Sequence, residues 1–449
     1  KEKKYDRQLR LWGDHGQQVL ERARICLINV TATSTEILKN LILPGVGSFL
    51  ILDGGRISGE DAGNNFFLDP SAIGQLKAKV ATELLLELNP DVKGDYTEED
   101  LNQLLDRNPQ FFQCFTVIIA SSLDVVTHKK LAALLWEHNI PLVTCYSYGF
   151  IGYMRIIVRE HCVVESHPDN AHEDLRLLDP FPELVEYIDS IDLEKMDKKQ
   201  HSHVPYLVIL YKFLQAWKNE HGGQAPKNWK EKKLFKEKVL QGVRINEHGM
   251  FSDSESYVKL QNIYKTKAKQ DIDLLTSYIR DFGAVNGRLS DQEIKRFCRN
   301  ASFLQVVRSR SLSEEYENAS QSILDGLISE GDSDAIWYVM LRCVEQFYTN
   351  FSRYPGVKAD DIDIDVTRLK NCVQELTRSW GVPGLVEAMS DDYVQEICRV
   401  GAAEIHSVAS YMGGVAAQEV IKLITAQYVP IVGVYIYNGL KSTSVSLNV

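Results

Sequence analysis

Between residues 24 and 159, short apolar blocks alternate with amphipathic stretches. Arg24–Val30 (RICLINV), Phe49–Leu52 (FLIL), Phe115–Ala120 (FTVIIA) and Pro141–Ser147 each read as a strand. They are too short for helices, rich in β-branched or aromatic residues, and largely apolar at successive positions, as in strands covered on both faces. Helices are predicted over Ser34–Leu43, Leu76–Leu88 and Val125–His138. In the first two, Ile37, Leu38 and Leu41, then Val80, Leu84, Leu85 and Leu88, recur at helical spacing. Pro44-Gly45 and Asn89-Pro90 end these two. Strands separated by helices of this length predict parallel βαβ units. Tyr153–Arg159 (YMRIIVR) alternates and predicts an added antiparallel strand.

The texture changes near Glu165. Helical spacing dominates up to Asp392, with predicted helices at Val204–Trp217, Trp229–Gln241, Tyr257–Asp281, Asp291–Cys298, Ser313–Leu327, Ala335–Asn350 and Asp365–Trp380. Beyond it lie a long helix, Glu404–Ile424, and a strand, Val432–Tyr437. The helix contains Gly413-Gly414, a pair that predicts close packing against another backbone. The predicted organisation is an α/β domain begun by residues 1–163, interrupted by a helical insert over 164–394, and completed by 395–449.

Composition narrows the function classes. At ~100–200 residues per domain, 449 residues allow two to four domains. A net charge of −11 argues against a general nucleic-acid binder. No apolar run reaches the ~18 residues of a membrane span, and Lys1–Lys4 carry no apolar signal-peptide region. The eight cysteines form no C-x-x-C motif, and inert buried thiols in a reducing compartment are expected. His161, His167, His201 and His203 are too scattered for zinc, and His201 with His203 is expected in a solvated loop. Asp361–Asp365 (DIDID) lacks the glycine and terminal Glu of a calcium loop and predicts a helix entry. The basic run Lys227–Lys238 predicts a solvated helix face.

The first strand–turn–helix is where a doubly wound sheet normally receives phosphate, through a glycine-rich turn. Here the turn is Asn29-Val30-Thr31-Ala32-Thr33-Ser34-Thr35-Glu36, without a glycine. Either a nucleotide site has been lost or this strand never bordered one; composition alone leaves both open.

Five blocks resolve the family. Tyr5-Asp6-Arg7-Gln8-Leu9-Arg10-Leu11-Trp12-Gly13, Leu38-Lys39-Asn40-Leu41, Ile51-Leu52-Asp53, Ile73-Gly74-Gln75-Leu76-Lys77-Ala78 and the run Gly413–Lys422 resemble the ubiquitin-like-protein activating enzymes, in the family's order. Arg155-Ile156-Ile157, Glu165–Asn170, Asp174–Leu177 and Arg353–Val357 narrow the resemblance to the regulatory halves of the heterodimeric activating enzymes of the neddylation pathway. The resemblance implies an α/β, Rossmann-like ThiF/MoeB-type adenylation fold with a degenerate nucleotide site, interrupted by the helical insert.

It also implies roles. Active members hold ATP on a glycine-rich turn, matched here by Thr31–Thr35. Asp53 matches the ribose-binding Asp and Lys77 the phosphate-binding Lys, as relic positions. Gly55 stands for a second acid, Asn64 for a phosphate-binding Arg, and Ser122 for the Mg²⁺-holding Asp. No cysteine lies in a segment like the family's catalytic Cys motif. Hence no cofactor is expected on this chain, with ATP and Mg²⁺ in a catalytic partner subunit. Arg7 matches the arginine that reaches in trans to the partner's ATP. A surface or interface Arg paired with Asp6 or another carboxylate is the alternative.

Further implied partners are the Nedd/Rub ubiquitin-like modifier and, transiently, a conjugating enzyme, with a cytoplasmic and nuclear location. Between Gly249 and Met250 the family carries a longer helical segment. The following stretch resembles a partner-contacting part, with Met250, Asp253, Tyr257 and Leu260 as interface positions. Competing readings are a self-sufficient adenylating enzyme, a dinucleotide-dependent oxidoreductase and a scaffold.

Overall fold

The computed structural model describes residues 4–168, 176–242, 255–282, 289–330 and 333–449. They fall into two compact units, one of residues 1–167 with 303–449 and the other of 168–302.

The first unit is built on an eight-stranded sheet in the order β10-β9-β6-β5-β4-β1-β2-β3. These are β1 (Arg24–Ile28), β2 (Ser48–Leu52), β3 (Lys93–Thr97), β4 (Val117–Ala120), β5 (Leu142–Tyr148), β6 (Ile151–Ile157), β9 (Gly433–Asn438) and β10 (Thr443–Leu447). A separate two-stranded ladder joins β7 (His161–Val163) to β8 (Gln305–Val307). β3-β2-β1-β4-β5 are parallel, as the βαβ pattern predicts. β6 pairs antiparallel with β5 and with β9, as its alternation predicts. After β1 the chain builds β2 and β3 on one side, then crosses to β4 on the other. The gap between β1 and β4 is therefore the topological switch point, where such sheets open a crevice.

Burial explains the near-continuous apolar strands. Helices Ala32–Ile42, Lys77–Leu86 and His406–Thr425 contribute Ile37, Leu38, Leu41, Leu85, Met412 and Val420 to one core with Ile25, Leu27 and Ile51. Helices Leu101–Arg107 and Val125–Glu137 contribute Leu104, Leu131 and Leu135 to another with Cys26, Ile28 and Ile118. Successive side chains of β1 thus enter different cores, so alternation is absent.

The predicted insert does not stay whole. Helices Ile336–Phe351, Ile362–Ser379 and Asp391–Val400 pack Val339, Leu369 and Ile397 into one cluster with Ile151, Val434 and Ile436 of β6 and β9. Only 168–302 is separate, so the boundary expected at 394 falls near 303. Apolar helical spacing cannot report whether a helix covers its own bundle or a distant sheet. In the second unit, helices Pro182–Asp189, Tyr206–Glu220 and Glu255–Asp281 share a core of Leu184, Ile188, Val208, Tyr211 and Leu260.

Local differences have local causes. The predicted helix Ser313–Leu327 is two, Leu312–Glu317 and Gln321–Glu330, separated at Asn318 (φ −127°, ψ 87°). His201 is buried in a short helix, Lys198–Ser202, started by an Asp197–Gln200 capping box, rather than in a solvated loop. The basic helix Trp229–Gln241 is solvated as expected, with Val239 its buried position. DIDID enters the helix Ile362–Ser379, and its last Asp, Asp365, is buried against Arg353 (2.5 and 2.7 Å) and the Gly356 N–H (2.9 Å).

Candidate functional site: a phosphate turn closed by its own carboxylate

The switch-point turn begins where β1 ends. Asn29 takes positive φ (67°) and anchors the turn through its side-chain N–H to the Ser121 carbonyl (2.9 Å). Thr31 caps the helix Ala32–Ile42. Its hydroxyl accepts from the Ser34 N–H (3.1 Å), and the Ser34 hydroxyl accepts from the Thr31 N–H (2.8 Å). This capping box uses two of the donors that a helix start leaves open.

The next two donors are met from the far end of the chain. Glu404 accepts from the Ala32 N–H (2.7 Å), the Thr33 N–H (3.2 Å) and the Thr33 hydroxyl (2.7 Å). The Ser147 hydroxyl also donates to it (3.3 Å). Ala32, Thr33, Ser34, Thr35 and Glu36 are each 2% exposed or less. The amides that would cradle a phosphate are thus buried and already donating. Sequence reasoning missed Glu404, because nothing in a run ending Ala403-Glu404-Ile405 signals a partner 371 residues away.

The relic positions are likewise self-satisfied. Asp53 accepts from the Val30 N–H (2.7 Å) and the Gly55 N–H (2.6 Å), tying the ends of β1 and β2 together. Lys77 donates to Asp61 at 2.7 Å. Burial raises the Asp61 pKa, but the hydrogen bonds from Lys77 and Ser58 outweigh it and hold the carboxyl below the usual carboxylate range. Ser122 sits at positive φ (51°) after β4.

A cavity of about 640 Å³ opens beside the turn, lined among others by Glu60, Asp61, Asn64, Ser122, Glu345 and Glu404. Four of its nineteen lining residues are acidic and none is a lysine or arginine. Burial pushes the Glu345 carboxyl up, against the pull of Arg342 and a hydrogen bond from Tyr316. A triphosphate needs donors and cations at this place. Lys77 is engaged by Asp61 (2.7 Å), Arg342 by Glu345 (3.3 Å), and the Ala32 and Thr33 amides by Glu404. The residues present do not fit the nucleotide and its metal.

Arg7 lies elsewhere in the unit. It is in the first turn of the helix Asp6–Arg22, whose start is pinned by buried Tyr5. The Tyr5 hydroxyl accepts from Asn89 (3.1 Å), which also donates to the Ile42 carbonyl (2.8 Å). Asp6 pairs with Arg10 (2.9 Å), not with Arg7. The Arg7 side chain is exposed and makes no ion pair among the described residues.

Of the expected interface positions, Met250 and Asp253 lie outside the described residues, as does the Tyr257 side chain. Leu260 is a correction. It is 4% exposed and belongs to its own unit's core, so it is not available to a partner. Six cysteines are buried, but Cys114 and Cys162 are exposed, contrary to the uniform expectation. Burial drives the thiols of Cys26, Cys145 and Cys343 far up, and those of Cys372 and Cys398 to about 11 and about 12. These five are therefore protonated and poor nucleophiles at neutral pH.

The ThiF family matches residues 5–448. A "NEDD8-activating enzyme E1 regulatory subunit" of Gallus gallus is 44% identical over 524 aligned positions, covering 99% of this chain and 97% of the relative. Its counterpart in Xenopus laevis is 43% identical, with 99% and 98% covered. A "NEDD8-activating enzyme E1 regulatory subunit AXR1" of Arabidopsis thaliana is 36% identical, with 98% and 95% covered. An alignment of 524 positions against 449 residues means that this relative carries residues the chain lacks. The chain belongs to the ThiF family and, within it, to the NEDD8-activating enzyme E1 regulatory subunits.

Proposed function

We propose that this chain is the half of a heterodimeric activating enzyme that holds no nucleotide and works through a catalytic partner subunit. The partner would bind ATP and Mg²⁺, form the acyl-adenylate on the C-terminus of the Nedd/Rub modifier and move the acyl group to its own cysteine. The conjugating enzyme would then dock transiently on the heterodimer, in cytoplasm and nucleus. The observation that carries the reading is the Glu404 carboxylate on the Ala32 and Thr33 amides, which leaves no donor pair for a phosphate. A complementary contribution comes from Arg7. A planar guanidinium on a pinned helix start, with no carboxylate partner among the described residues, suits phosphate oxygens presented by another subunit.

ATP–pyrophosphate exchange in the presence of the modifier tests this. The chain alone and the partner alone should be inactive or nearly so, and the mixture active. Arg7→Ala in the mixture should lower exchange by roughly 10- to 100-fold, the worth of one charge-assisted hydrogen bond, with assembly and Tm unchanged. Exchange by this chain alone would favour the self-sufficient enzyme. An Arg7→Ala mixture with full activity would favour a scaffold.

A further inference from the structure

We infer that Glu404 is a built-in anion, standing in for a bound phosphate at the first strand–helix turn and fastening the last helix to that turn without a ligand. The start of an 11-residue helix carries outward-facing N–H groups and the positive end of the helix dipole. Thr31 and Ser34 satisfy one another's amides locally, but no neighbouring side chain reaches those of Ala32 and Thr33. Left unpaired at 2% exposure or less, these two donors would be strongly destabilising.

Glu404 supplies one oxygen to Ala32 (2.7 Å) and the other to the Thr33 amide and hydroxyl (3.2 and 2.7 Å). Thr33 and Ser147 also meet through their hydroxyls (3.0 Å). Two amides and two hydroxyls converging on one charged group form the donor set of a small anion site. A carboxylate is flatter and smaller than a phosphate, so it fits over a turn in which every residue carries a Cβ. That accounts for a turn without glycine that is nonetheless fully hydrogen-bonded.

The tie has a mechanical consequence. Glu404 stands just before Ile405, the N-cap of the helix His406–Thr425, and one residue earlier the Ala403 carbonyl accepts from the Gly149 N–H (2.7 Å). These contacts fix the last helix to β5 and to the Ala32–Ile42 helix from its first residues. Glu404 also lines the cavity, so removing its side chain leaves the donors in place and open to it.

The test is thermal unfolding of the full chain with Glu404→Ala and Glu404→Gln, in phosphate and in chloride at equal ionic strength. Glu404→Ala should lower Tm by several degrees, and inorganic phosphate should restore much of the loss saturably, beyond the general stabilisation that phosphate gives wild type over chloride. Glu404→Gln keeps the shape and one acceptor and should fall between them, so a Glu404→Ala chain that fails to fold does not end the test. Variants as stable as wild type, or with no larger phosphate response, overturn the inference. The inference is separable from the proposed function: exchange by the chain alone would end that reading and leave this one to its own melting data.

Discussion

His128 is the clearest case of a single residue setting a solution property. It is 5% exposed, under the sheet, with Nε2 2.8 Å from the Thr144 hydroxyl. Burial, reinforced by the charges of Arg342 and Arg155, pushes its pKa down to about 3. The folded chain therefore keeps the imidazole neutral while the unfolded chain protonates it near 6.5. Between those values the unfolded state binds the extra proton. Its contribution to stability is full above about pH 6.5 and is lost progressively as pH falls toward 3, by up to about 1.4 kcal/mol per pH unit. Denaturation midpoints across pH 7 to 4.5 should show this slope, and His128→Gln should flatten it. Equal slopes would mean that another group carries the acid sensitivity. Nothing in the sequence marks His128, because a histidine in an amphipathic helix reads alike whether its ring meets solvent or a threonine beneath it.

At the scale of elements, the packing of helices Ala32–Ile42 and His406–Thr425 turns on one glycine. A Cβ on Gly413 would stand 2.5 Å from the Glu36 Cβ and 2.9 Å from its carbonyl carbon, whereas one on Gly414 meets nothing within 4 Å. Gly413→Ala should therefore destabilise by about 1–3 kcal/mol through overpacking. Gly414→Ala should be neutral or stabilise by up to about 1 kcal/mol through helix propensity. Urea midpoints decide it, and similar effects at both positions would contradict the close approach. The pair was legible in the sequence as a contact point, though not which glycine makes the contact. Strands were legible in proportion to their burial. β1, β4 and β5 stand out as apolar runs. β3 (KGDYT) and β10 (TSVSL), at the two sheet edges, are polar and mostly exposed and give no apolar signal. The missing glycines of the turn were plain in the sequence. The carboxylate that closes it was not, since that contact exists only once the chain returns to the sheet.

For the whole molecule, the order of the chain and the order of its units differ. The main sheet is left after β6, and three of the seven helices predicted as an insert fall back into its unit, leaving 168–302 as the separate unit. The same fold that builds a nucleotide crevice at its switch point here lines it with carboxylates and closes its amides from within. An assembly that pairs such a half with a competent one should carry a single nucleotide. The most direct measurement is the stoichiometry of Mg²⁺·ATP binding by calorimetry, on this chain alone and on its heterodimer with the catalytic subunit. The account predicts no binding to the chain and one ATP per heterodimer. Binding to the chain alone, or two per heterodimer, would contradict it.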